Sequence, residues 1–172
     1  RYPMRLAFDT PRPLQIRPRD IIDYGAFRKR FRSDETELEL HLAERFHAAK
    51  ILFDKGSEHV YVEVPLKTVG GAAGSQGTIR ADLCGVNGED LTLAFCETSQ
   101  PTDELLEKLK VVEQATNARA IILCPFSVDL PHLPWTKTDV ARVPWLDEKI
   151  DQAFRQAIEM VELLANQTRV RM

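Results

Sequence analysis

Apolar residues recur along the chain at two spacings, and the switches between them lay out the elements. Leu38, Leu42, Phe46, Ala49 and Phe53 fall at helical spacing. Asp34 with Glu37 forms a capping-box-like start, so a helix is expected from Asp34 until Gly56 ends it. "HVYVEVPL" (59–66) alternates and is rich in β-branched residues, the pattern of a strand. "TIRADLCGV" (78–86) and "LTLAFCET" (91–98) predict two more strands, joined at "NGED", where Asn87-Gly88 is a hairpin signal. After Pro101 a helix is expected to about Thr116, with Leu105, Leu109 and Val112 on its buried stripe. "ARAIILCP" (118–125) is continuously apolar, as in a strand covered on both faces. A last helix, from about Leu146 to Asn166, carries Ile150, Phe154, Ala157, Ile158, Val161 and Leu164 on one arc.

The segments between are loops. "PRPLQIRPRD" has no regular pattern, and residues 1–33 read as an extended basic arm with one short turn at most. "KTVGGAAGSQG" (67–77) is a flexible connector; it lacks the Gly-Lys-Ser/Thr ending of a phosphate loop and lies between two strands. The expected organisation is an arm (1–33) and a single domain (34–172), with a core at 34–125. A Pro- and Trp-containing loop (126–145) and the C-terminal helix (146–166) follow. The fold class is α/β, with element order α-β-β-β-α-β.

Composition narrows the class without naming a function. At 172 residues the chain suits one domain, and no apolar run is long enough to cross a bilayer. The N-terminus has no signal-peptide layout, so a cytoplasmic protein is expected. Cys84, Cys96 and Cys124 all fall in apolar strands, are odd in number and fit no zinc spacing, which predicts buried free thiols. The net charge of −3 conceals an asymmetry: residues 1–32 hold nine Arg or Lys against three Asp, giving +6, and the remainder is therefore −9. Such a segment can contact phosphates, or it can pack on its own acidic body.

The candidate chemistry lies in the two hairpin strands. Asp82 stands in an apolar strand, and Glu97 ends the next one, two residues after Phe95. Residues two apart on a strand share a face, so Phe95 and Glu97 are expected to point the same way. The hairpin makes the strands neighbours, but which face Asp82 shares with Glu97 is left open. Glu44 sits at the edge of the first helix's apolar arc, with Glu37 on the same flank as its rival. Arg80 is either a phosphate contact or a partner for Asp82, and Glu97 is either a site residue or a start signal for the following helix. His41 and His47 are six apart on one helix, and His59 and His132 are isolated, so no zinc site is expected. Ser99 and Cys96 have no base partner in the pattern, which leaves a hydrolase triad without support. Trp135 and Trp145 either stack on bases or pin their loop.

This order of elements, with "RADLCGV" and "LAFCETS" on successive strands, resembles the restriction-endonuclease-like PD-(D/E)XK nuclease superfamily over roughly residues 34 to 125. The resemblance implies a mixed central sheet flanked by helices on both faces. It also implies metal ligands at Glu44 on the first helix, Asp82 on the second strand and Glu97 at the family's lysine position, where Glu97 is also a candidate base. Phe95 takes the place of the family's first third-strand acid, and Lys108 on the next helix is the stand-in for the absent lysine. The implied cofactor is Mg²⁺ or Mn²⁺, which takes hard oxygen ligands and acidifies water for phosphodiester hydrolysis. The implied partner is DNA, contacted by Arg28, Lys29, Arg30 and Arg80, with a homodimer as a further expectation. Two other readings stand beside this one. A catalytically inactive module of the same fold would bind nucleic acid or serve assembly. A protein-interaction domain would have no affinity for DNA.

Overall fold

The Asn87-Gly88 signal closes a tight hairpin. Asn87 pairs with Asp90 across it, and Gly88 takes a φ of 63°, which is open to a residue without a Cβ. The computed structural model describes residues 3–9, 11, 13–32, 34, 36–71, 77–132, 134–143, 156 and 159–167. Strands β1 (Arg5–Phe8) and β2 (Gln15–Ile16) lead into a 3₁₀ turn at Pro18–Ile21 and helix α1 (Tyr24–Phe31). Helix α2 (Glu39–Asp54) is followed by β3 (His59–Val69), β4 (Thr78–Asn87) and β5 (Asp90–Cys96). Helix α3 (Asp103–Gln114), β6 (Ala118–Cys124) and β7 (Thr138–Arg142) complete the fold, with a helical segment at 159–167.

The strands form one seven-stranded sheet in the order β1-β3-β4-β5-β6-β7, with β2 also paired to β3. Pairing is antiparallel from β1 through β5 and parallel from β5 to β7. This is a mixed α/β architecture with helices on both faces. Leu105, Leu109 and Val112 of α3 pack on one face with Leu91, Leu93, Phe95 and Ile122. Phe27 and Phe31 of α1 and Leu42, Phe46, Ala49 and Leu52 of α2 cover the other, against Val60, Val62, Leu83, Ala94 and Leu123. Each such large side chain removed from water contributes about 1.5–3 kcal/mol.

Several expectations need correction. The first thirty residues are not an extended arm: β1 and β2 occupy one edge of β3, and Met4, Leu6, Ile16, Phe27 and Phe31 are buried. The run looks irregular in sequence because its strands are short and separated by prolines. Helix α2 begins at Glu39, not Asp34. The Asp34 carboxylate bonds the N–H and hydroxyl of Thr36 in a local turn, so it competes with the helix for the backbone. Gly56, at φ 97°, does follow its end. Strand β7 was missed inside the expected loop, because "TDVAR" has little apolar content. The three cysteines are buried thiols, with no disulfide among the described residues. Of the C-terminal helix, Ile150, Phe154, Ala157 and Ile158 lie outside the described residues, as does Trp145. The described part is exposed, including Val161 and Leu164.

One distortion positions the site. Along β3, Val60 and Val62 pack on the α2 side, whereas Val64 and Leu66 pack on the α3 side. The alternation resets at Glu63, whose φ of 50° is left-handed and costs a non-glycine residue about 1–3 kcal/mol. On β4 the same reset lies between Ala81, on the α3 side, and Leu83, on the α2 side. Asp82 sits between them, directly across from Glu63.

Candidate functional site

Asp82 faces α2. Its Oδ1 lies 3.3 Å from Nε2 of His41, and its Oδ2 accepts the backbone N–H of Cys96 at 2.8 Å. The second bond has a structural cause. The β4–β5 ladder runs only from Asn87–Asp90 to Leu83–Ala94, so beyond it the Cys96 N–H finds a side-chain oxygen in place of a strand carbonyl. Asp82 thus marks the point where β4 and β5 part.

Behind Asp82 stands a row of alternating groups. Nδ1 of His41 is 3.6 Å from Oε1 of Glu37, and Glu37 accepts from Nη1 of the buried Arg45 at 2.7 and 3.1 Å. The same Nη1 also donates to the Phe31 carbonyl at 2.9 Å. The contact with Asp82 raises the His41 imidazole above its ordinary value, in opposition to burial, with the charges of Asp82 and Glu37 adding to the rise.

Glu97 follows the last residue of β5, and its N–H donates to the Leu123 carbonyl at 2.8 Å. Burial, and then the charge of Asp82, lift its carboxyl above the usual range, while Lys108 and His41 pull it down. Glu97 therefore lies between the layers, within electrostatic reach of Asp82 and His41 on one side and Lys108 and Glu104 on the other. It does not cap α3, because the Thr102 hydroxyl accepts from the Leu105 N–H there. Lys108 is half-buried, 3.6 Å from Glu104, with its ammonium 5.9 Å from the Phe95 ring centre.

Glu44 is 0% exposed on the inner side of α2 and not on its flank. It belongs to the same neighbourhood. The Cys96 thiol is pushed well up, first by burial and then by the charges of Asp82, Glu44 and Glu97. The charges of Glu44, Asp82 and Glu97 thus all reach Cys96, and that of Lys108 reaches Glu97.

The basic residues behave differently. Arg28 pairs with Glu39, and Arg30 pairs with Asp20 at 2.9 Å. Arg80 pairs with Glu63 at 3.2 Å, not with Asp82. Lys29 is exposed. Phe95 is buried on the α3 side, opposite to the direction taken by Asp82. The sequence offers Glu37 only as a rival to Glu44 and His41 only as an unsupported zinc ligand; their link to Asp82, and Arg45 itself, come from the fold. Their signal was the four-residue interval 37–41–45, which places an acid, an imidazole and a guanidinium on one stripe.

Among the described residues, no group of three or more His, Cys, Asp or Glu is arranged to hold a metal ion. A ready-made cage of Glu44, Asp82 and Glu97 is therefore not part of the described structure. The chemistry of the pair Asp82 and Glu97 still suits a hard divalent cation. Both are oxygen donors, the Asp82 charge disfavours ionisation of Glu97, and magnesium commonly binds through one or two carboxylates with water and phosphate oxygens supplying the rest.

No protein-family model matches the chain, and no curated protein matches it. One solved structure, the crystal structure of protein VC1899 from Vibrio cholerae, is similar at a TM-score of 0.35 and 18% identity. It covers 49% of this chain, which spans 23% of that one. A likeness of that size carries no argument about fold or activity.

Proposed function

We propose that this protein is a divalent-metal-dependent DNA endonuclease-like protein of restriction-endonuclease-like architecture. The observation that supports the reading is electrostatic: the charges of Asp82 and Lys108 both reach Glu97, and Asp82 raises its proton affinity where β4 and β5 part. Asp82 and Glu97 are the residues that would hold Mg²⁺ or Mn²⁺, with the buried Glu44 as a further candidate ligand. When bound, the cation would supply Lewis-acid polarisation of a phosphate and a more acidic water. Glu97, with its raised proton affinity, is better suited than an ordinary glutamate to accept a proton from water. Lys108 would offset negative charge on the phosphate from the α3 side, and Arg80, which is exposed at the rim, would contact the backbone.

A second reading has its own observation. Both oxygens of Asp82 already have partners, in His41 and the Cys96 N–H, as expected of a carboxylate that serves the fold. On that reading the chain is a catalytically inactive module that binds nucleic acid or serves assembly. Nicking of supercoiled plasmid in Mn²⁺ separates the two. The endonuclease reading expects cutting that EDTA abolishes and that Asp82→Ala and Glu97→Ala each reduce by about 100-fold or more. Cutting that survives both substitutions rules out the site, and EDTA-insensitive binding without cutting supports the module.

A further inference from the structure

Asp82 is held from two directions, and only one of them belongs to the sheet. The Cys96 N–H fixes Oδ2, while His41, on a different element, reaches Oδ1. His41 does not hang loosely on α2. Its other ring nitrogen faces Glu37, which is only 6% exposed and is gripped by Arg45, itself buried and tied to the Phe31 carbonyl. Arg45, Glu37, His41 and Asp82 therefore form a run of side chains from the helical layer to the sheet. A carboxylate has about four lone-pair positions. With one on each oxygen taken, those remaining lie on its open side, where Asp82 is 32% exposed.

We infer that His41 is a positioning residue: braced by Glu37 and Arg45, it fixes the Asp82 carboxylate so that its remaining lone pairs stay on the exposed side of the group. This deepens the proposed function, and its importance for cutting rests on that reading. The geometric part of the proposal does not. Partners of this kind, one step removed from a ligand, typically change metal affinity or activity by about 10–100-fold when removed.

The test compares wild type, His41→Gln and His41→Leu. Glutamine retains an N–H donor at similar reach, whereas leucine fills the space and donates nothing. Exchange of the Cys96 amide reads Asp82's placement directly, since that amide donates to Oδ2. It is expected to quicken about tenfold in His41→Leu and to remain within about twofold of wild type in His41→Gln. Amides of β6 serve as the reference for global opening. Mn²⁺ affinity should fall about tenfold in His41→Leu and recover in His41→Gln. Equal Cys96 exchange in all three folded proteins overturns the proposal. If His41→Leu does not fold, the wild type alone decides. A protected imidazole Nε2–H resonance with a cross-peak to the Asp82 β protons supports the assignment, and its absence in the folded protein overturns it. If wild type neither binds Mn²⁺ nor cuts DNA, the endonuclease reading fails, while the exchange result still judges His41.

Discussion

Phe95 decides how the third strand is to be understood. As a string of letters it fills the place of a missing acid, and replacing it with aspartate looks like a repair. In the fold its ring is 2% exposed and packs with Leu105 and Leu109 on the α3 side, while Asp82 turns to α2. Phe95→Asp should therefore lose a core aromatic, a change costing about 3–5 kcal/mol before any charge is buried, and should leave Mn²⁺-dependent cutting no higher. Urea unfolding and plasmid nicking check the two halves. His41 and His47 show how contact overrides type. The Asp82 contact raises His41, whereas burial, and then Lys50, lower His47. Imidazole resonances followed by NMR should titrate above about 6.5 for His41 and below it for His47. The consequences for stability have opposite signs. What His41 contributes is fully present below about 6.5 and is lost as pH rises through its raised value. What His47 contributes is present above about 6.5 and is lost as pH falls through its lowered value. Asp82, Glu97 and Lys108 were legible because strand period, hairpin and helical stripe each constrain them locally. His41 was not, because its partner lies across the fold on β4, and an acid and a histidine four apart on a helix look like ordinary surface pairing.

Helices and strands with strong local signals stand close to where the pattern puts them: β4, β5 and β6, joined by a glycine turn and a helix with a threonine cap. Discrepancies gather where an element takes its stability from neighbours. β1 and β2 are four and two residues long and exist because β3 offers an edge, and β7 lies beside β6 in the same way. Nothing in "RLAF", "QI" or "TDVAR" announces that. The start of α2 is a third instance. Asp34 spends its carboxylate on Thr36, which leaves Leu38 as the residue preceding the helix. Leu38 is 60% exposed and has no side-chain bond to the first turn. A hydroxyl there can accept from an N–H left over at the helix end, while little apolar contact is lost. Leu38→Ser should stabilise the protein by about 1 kcal/mol, read as a higher urea midpoint at unchanged slope.

The +6 carried by residues 1–32 looks, on its own, like a handle for DNA. Folding spends much of it. Arg5 meets Glu89, Arg28 and Arg32 meet Glu39, and Arg30 meets Asp20. The segment that carries these cations is also built into the sheet edge and the α2 layer, so it cannot swing out to wrap a duplex without uncovering Phe27 and Phe31. Any affinity for DNA would then come from a small set of phosphate contacts, such as the exposed Lys29 in this segment and Arg80, once its pair with Glu63 opens. Each phosphate neutralised contributes about −0.9 to the slope of log affinity against log salt, so duplex binding should show a slope of about −2 to −3, not the −8 that nine open cations would give. Fluorescence anisotropy over a salt series measures it. A steep slope would show that the ion pairs with Glu39, Asp20 and Glu89 break on binding. A shallow slope that Lys29→Ala and Arg80→Ala both leave unchanged would remove these two residues from the interface and place the contact surface elsewhere on the fold.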